Sequence, residues 1–438
     1  MISQLEAGKI KAMPKDQAAE NQEIIAPTTP ALAELPGYQC YDCQVCGKCC
    51  GGIFTVVLQP GEVERITEQG WKADPAMQGM APFVKHGKGF RLNNRADGTC
   101  VFLDEQNRCR IHAKFGLRAK PLACQLYPFK FIPTGTTVRT DLRFDCPAVA
   151  ANVGRPVGEY RAELEEVLPL LVTETAEPAP LHGRMWLGWG PLERITAALA
   201  RLIHYPELDL TGRVVGCLQF AAVLRHLNRQ ALDESTLDSV LETIFNTVVL
   251  AMVKDPLERI PPSRGALASF RQLLVVYARE DRRDVRVPMG RRYRDFFSMI
   301  GGAGSVPKLR EDFPEVSFSA LEEPIGYPPD EVVEPLERCL RARLESMGFF
   351  GSGFAGYSYL DGLNALLLTY PVIFWFARVY AAGKGLPAPD AECMVKAVSI
   401  VNHVHGLAAV FTFPLERFHL CSLCNPVILR KLAVWYGR

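Results

Sequence analysis

The stretch CYDCQVCGKCCGG, residues 40–52, puts five thiols into eleven residues: Cys40, Cys43, Cys46, Cys49 and Cys50. The first four follow at steps of three and the last two are adjacent. Thiolates are soft anionic ligands suited to zinc or to iron–sulfur clusters. Four more cysteines arrive singly from later loops: Cys100, Cys109, Cys124 and Cys146. A compact knot joined by distant segments that fold back is how a small irregular fold closes a metal site. The metal then contributes directly to folding, because the site does not exist in the unfolded chain.

Within the knot, CQVCG is a two-cysteine turn followed by Gly47, which lets the backbone turn tightly and aim amide N–H groups at sulfur. The double C-x2-C step has the spacing of bacterial ferredoxins without their final spaced Cys-Pro. The C-x3-C-x2-C arrangement of ordinary radical S-adenosylmethionine enzymes is absent. Neighbouring side chains in an extended segment point to opposite sides. The pair Cys49–Cys50 can therefore face one metal centre or two. A disulfide between adjacent residues would be strained.

CQVCGKCCGG, then GTCVFLDEQNRCRIHAKFGLRAKPLACQLYPF, then DCPAV resemble the YkgJ-like cysteine-cluster family, described as zinc- or iron-chelating. The same series is similar to flagellin lysine N-methylases, whose methyl transfer is described as iron–sulfur dependent, although the opening knot follows the general family form. The resemblance covers residues 43–149. It implies Cys43, Cys46, Cys49, Cys50, Cys100, Cys109, Cys124 and Cys146 as the ligand set, with Cys40 additional. Eight thiols exceed one tetrahedral or one cubane site, so two sites, or some thiols in supporting roles, are implied. A 4Fe–4S cluster held by three or four thiolates is the first expectation and zinc the alternative. S-adenosylmethionine and a protein lysine substrate belong to the methylase version. A metal-stapled adaptor whose helices bind a partner protein is the non-catalytic version.

Other groups carry less. Cys421 and Cys424 in HLCSLCNPV form a second C-x2-C, with Asn425 able to take a left-handed turn. They are secondary metal candidates, with His403, His405 and His419 nearby in sequence. Cys217, Cys339 and Cys393 sit in helical patterns and read as small buried hydrophobes. Arg118, Lys120 and Tyr127, between Cys109 and Cys124 or just past it, could donate to cluster sulfurs or an anionic substrate, or line a solvated loop. Pro121 and Pro128 shape the backbone around Cys124. The arginine-rich run 281–297 is offset by Asp281, Asp284 and Asp295 and reads as an exposed salted face. No phosphate-binding loop, GxSxG turn or dinucleotide fingerprint is present, and GGAGSVPK at 301–308 lacks the P-loop form. No catalytic base stands out.

These thiols must be positioned by a chain of 438 residues with net charge +1, 48% apolar and 22% charged. That balance gives no reason to expect nucleic acid as the partner. The first residues lack a secretory pattern, so a cytoplasmic protein with reduced thiols is expected. Leu363–Ala377 is too short for a span, and 397–415 contains Asn402, His403, His405 and Gly406, so buried core helices are expected and no membrane span.

The expected fold is mainly α: a small irregular α+β cysteine-rich module followed by an all-helical domain. Residues 1–38 read as a flexible tail and 39–153 as the module, with short strands at 53–58, 90–93, 100–103 and 137–144 and a helix at 60–69. Residues 154–438 read as helical, with apolar spacings of three and four. Pro, Gly and Arg fill a long connection near 255–330. Ser235 before Thr236 reads as a helix start. Nothing in the sequence fixes the oligomeric state.

Overall fold

Gly and Pro punctuation up to about residue 153, and a 3.6-residue apolar period beyond it, sort the chain into two textures. The computed structural model describes residues 30–51, 55–135, 137–171, 176–278, 289–405 and 409–438. Its strands are short: β1 (Ala31–Leu32), β2 (Cys40–Tyr41), β3 (Phe83–His86), β4 (Gly89–Leu92), β5 (Phe129–Thr134), β6 (Thr137–Leu142) and β7 (Arg155–Pro156). Interleaved with them are α1 (Glu62–Glu68), α2 (Arg110–Phe115), α3 (Leu122–Leu126) and α4 (Pro147–Ala150). Then come α5 (Arg161–Val167), α6 (Trp189–Ile203), α7 (Leu210–His226), α8 (Leu237–Lys254), α9 (Arg264–Tyr277), α10 (Met289–Gly301), α11 (Phe318–Glu322), α12 (Asp330–Glu345), α13 (Tyr359–Gly383), α14 (Ala391–His405), α15 (Pro414–Leu423) and α16 (Pro426–Gly437). A small α+β region followed by a helical body is the architecture read from the sequence.

Two cores organise these elements. Among the described residues the smaller has eight buried side chains, including Ile66, Trp71, Phe102 and Ile111, with Cys100, Cys109 and Cys124 packed against it. The larger runs through the helical body and takes in Phe129, Val138, Leu142, Phe144, Cys146 and Val149 from the cysteine-rich region. The β5–β6 hairpin, antiparallel from Phe129↔Leu142 to Thr134↔Thr137, thus packs with the helices. α13 lies at the centre of the body, buried at every residue from Gly362 to Ala381. It is the one helix among the described residues long and apolar enough to cross a membrane, and 94% of its apolar window is buried. A helix apolar all round fits a core position of this kind. Its Arg378 is tolerated because the guanidinium donates to Tyr436 O at 2.9 and 2.8 Å, Leu321 O at 3.2 Å and Arg438 O at 3.1 Å.

Several details differ from the sequence reading. Residues 30–38 are built into the body: β1 pairs in parallel with β6, and Leu32 and Leu35 are buried. Residues 1–29 lie outside the described part. The region 255–330 is only partly connection: it holds α9, α10 and α11, with many of its Pro residues standing between those helices. The start of the arginine-rich run, 281–288, lies outside the described residues. Thr55–Leu58 makes only a single bridge, Val57↔Arg91, and the rest of that expected strand is not described. Cys100–Leu103 is a turn between single bridges, not a strand. α8 starts at Leu237 as the sequence suggests, but its N-cap Thr236 makes no side-chain cap, since its hydroxyl donates back to Asp233 O at 3.3 Å.

Candidate metal centre

The knot begins on a strand pair. β2 runs antiparallel to β7, and the Asp42 amide donates to Val153 O at 3.0 Å. Asp42 accepts from the Arg155 amide at 2.9 Å and the Tyr160 hydroxyl at 3.0 Å. Gly154, at φ +123°, is where the two strands nearly touch: a Cβ there would lie 2.2 Å from the Asp42 nitrogen. Beyond Asp42 the chain turns through Gly47, at φ +70°, into a single 3-10 turn, Lys48–Cys50. The Cys50 amide donates to Gly47 O at 2.9 Å, which is the tight turn expected at this glycine.

The later thiols are brought to the knot by hydrogen bonds of their own segments. The Cys100 amide donates to Cys50 O at 2.7 Å, joining knot and loop directly. The Asp104 carboxylate then closes the FLDEQNRC turn, accepting from the amides of Gln106 at 2.9 Å and Arg108 at 2.8 Å. That turn sets Cys109 opposite Leu103 and at the start of α2. Buried Glu62 of α1 accepts from the Leu122 amide at 2.7 Å, fixing α3 and its Cys124. Cys146 enters from β6 and caps α4.

Electrostatics divide the set into two neighbourhoods. Cys49, Cys50, Cys100, Cys109 and Cys124 lie close enough that ionising one disfavours ionising another. The Cys49 and Cys50 sulfurs are 3.9 Å apart, and the hydrogen bond from Cys50 lowers the Cys49 pKa to about 7 while Cys50 is raised. Burial pushes Cys100 up to about 12 and raises Cys124. On the other side, burial lifts Cys146 to about 11, opposed by the amides of Val149 and Ala148, and Cys46 is near enough to add to the rise. Cys43 and Cys46 are exposed. Buried thiols that repel one another in this way favour a cation among them. Among the described residues no three His, Cys, Asp or Glu side chains are closed around a single point. The donor chemistry therefore fits a soft metal, while the sulfurs are gathered without a finished cage.

Polar groups stand beside the thiols, and of these only Tyr127 is expected there from the sequence. Lys48, between Cys46 and Cys49, donates to the Ser399 hydroxyl of α14 at 2.7 Å. Asp145, directly before Cys146, is 1% exposed. Burial pushes its pKa up, but His403 and Arg143 outweigh this and hold it below the usual carboxylate range. Tyr127 is half-buried next to Asp145 and Cys146, and desolvation raises its pKa. Lys48 and Asp145 could have been found by adjacency to cysteines. Ser399 and His403 carry no such signal.

The other candidates lie elsewhere. Cys421 is on α15 and exposed, and Cys424 is buried at its end, so this C-x2-C is helical and forms no knuckle. Asn425 has φ −58°, not a left-handed value, and caps α16 by accepting from the amides of Val427 and Ile428. His405 is buried against Tyr277 and His419 lies on Ser269. Arg118 pairs with exposed Glu166, whereas Lys120 is close enough to lower the pKa of Cys49.

Residues 42–147 match the family model CxxCxxCC, described as "Putative zinc- or iron-chelating domain". No curated protein and no solved structure matches the chain.

Proposed function

We propose that the cysteine-rich region holds iron as an iron–sulfur cluster and that the helical body forms the surface on which a protein substrate or partner is handled. The observation that carries this reading is the convergence of five thiols from three stretches of chain: Cys100, Cys109 and Cys124 pack against the small core, and Cys49 and Cys50 lie near enough to be felt by them. Among the described residues that core has eight buried side chains, few for its chain length, and small cores of this kind commonly rely on a metal or a covalent staple. Bound there, a cluster supplies a thiolate-held iron centre that can take a further ligand. The chain's own residues exclude water with Trp71, Phe102 and Ile111 and present the sulfurs from hydrogen-bonded turns.

The resemblance of residues 43–149 to lysine N-methylases gives the concrete enzymatic version. A methyl group passes from S-adenosylmethionine to a protein lysine amine, leaving S-adenosylhomocysteine and a proton. Zinc held by the same thiols, as a staple for a partner-binding body, is the second reading, since four thiolates suit it equally.

Metal and acid-labile sulfide analysis of anaerobically purified protein separates the two. Iron and sulfide in comparable amounts, with broad visible absorption, support the cluster. A colourless protein with stoichiometric zinc would sink it. Cys109→Ser should lose the metal, and Cys217→Ser should keep it.

A further inference from the structure

Two segments of the thiol site are fastened to one face of a helix that lies outside the matched domain. Ser399 and His403 are four residues apart on α14 and so share a face. The Ser399 hydroxyl accepts from the Lys48 ammonium at 2.7 Å and donates to the Asp145 carbonyl at 3.0 Å. His403 Nδ1 lies 3.5 Å from Asp145 Oδ2. Arg143 holds the same carboxylate with donors at 3.1 and 2.6 Å. Ser399 is 3% exposed and Asp145 1%, so the Ser399–Asp145 bond is shielded from water, while Lys48 reaches it from an exposed position. Lys48 belongs to the single turn that carries Cys49 and Cys50, and Asp145 is the neighbour of Cys146.

We propose that α14 is a wall of the metal site, with Ser399 and His403 as positioning residues for the Lys48–Cys50 turn and for Cys146, so that metal binding is coupled to the packing of the helical body. The proposal rests on the metal-binding reading above. One hydroxyl bridges the two thiol-bearing segments, and removing it breaks a contact to each at once, leaving Asp145 held by Arg143 and His403. Residues that orient ligands without touching the metal commonly change its affinity by 10- to 100-fold. Neither Ser399 nor His403 lies within residues 42–147, so the matched domain is incomplete without the body.

The test uses the full chain, stripped of metal under anaerobic reducing conditions and titrated with cobalt(II), whose thiolate charge-transfer band reports ligation. Ser399→Ala should weaken cobalt binding roughly tenfold and alter the band. Ser399→Thr, which keeps the hydroxyl, should restore both. His403→Gln should weaken binding in the same direction. A Ser399→Ala chain that melts lower without metal, yet binds cobalt with the affinity and spectrum of the unaltered chain, overturns the proposal. Absence of a thiolate band in the unaltered chain overturns the metal reading itself, before any variant is compared.

Discussion

The Lys48 ammonium lies 2.7 Å from the Ser399 hydroxyl, a contact across 351 positions of sequence. The thiol-bearing turn is therefore held by the helical body and not only by its own loop. The boundary between the two cores explains how. Cys100, Cys109 and Cys124 pack on the small core, whereas Cys146 belongs to the large one. The thiol site straddles the seam.

Metal removal should act unevenly across that seam. A chelator should raise amide hydrogen exchange over residues 55–126, whose small core has little else to hold it. Residues 129–150 should stay protected, because their side chains are part of the large core. Uniform deprotection of both stretches would contradict the two-core division.

Arg343 and Asp141 form a buried ion pair between α12 and β6, with side chains 5% and 0% exposed. Asp141 Oδ1 also accepts from the Leu142 amide at 2.8 Å. Arg343→Met leaves a carboxylate in the core without its cation. The expected loss is about 3–5 kcal/mol in urea denaturation. Adding Asp141→Asn to that variant should recover part of it, since the stranded charge is then gone.

His405 sets an acid limit on stability. Burial, with the charges of Arg343 and Lys130 adding to it, lowers its pKa to about 3. The folded state thus binds the proton less tightly than the unfolded chain. The stability it contributes is complete above the ordinary value of 6.5 and is lost as pH falls from there toward about 3. At about pH 4.5 the loss amounts to roughly 2–3 kcal/mol. Urea midpoints for His405→Gln and the unaltered chain should differ in their pH slope over this range; parallel slopes would refute the assignment.

Cys421 and Cys424 should be dispensable for metal. Burial raises both pKa values, and the groups that add to or oppose it are Asp361, Arg417, Arg225 and, for Cys424, its neighbour Cys421, with no thiol of the N-terminal site among them. The double variant Cys421→Ser, Cys424→Ala should keep full metal content, with a modest stability cost from the buried Cys424. Loss of metal in elemental analysis would reinstate them.

Gly154→Ala tests the strand pair that starts the knot. At φ +123°, with the Asp42 nitrogen 2.2 Å from where a Cβ would stand, any side chain must push β2 and β7 apart. The expected cost is at least about 2 kcal/mol, read from thermal or urea midpoints. Gly158→Ala, where a Cβ meets nothing within 4 Å, is the matched control.

The sequence alone determined the two-texture architecture, the clustering of thiols and the tight turn at Gly47, because each rests on local pattern. A 3.6-residue apolar period needs no partner to be read, and neither does a glycine after C-x2-C. The same local logic misread residues 255–330, where helices hide between prolines, and Cys421–Cys424, whose spacing suits a helix as well as a knuckle. Only the tertiary structure decided which core Cys100, Cys109, Cys124 and Cys146 join, that Ala31 and Leu32 pair with β6, and that Ser399 and His403 stand against Asp145. Those contacts form when distant segments are packed and desolvated together. Their energy depends on burial and hydrogen-bond geometry, which no spacing along the chain encodes.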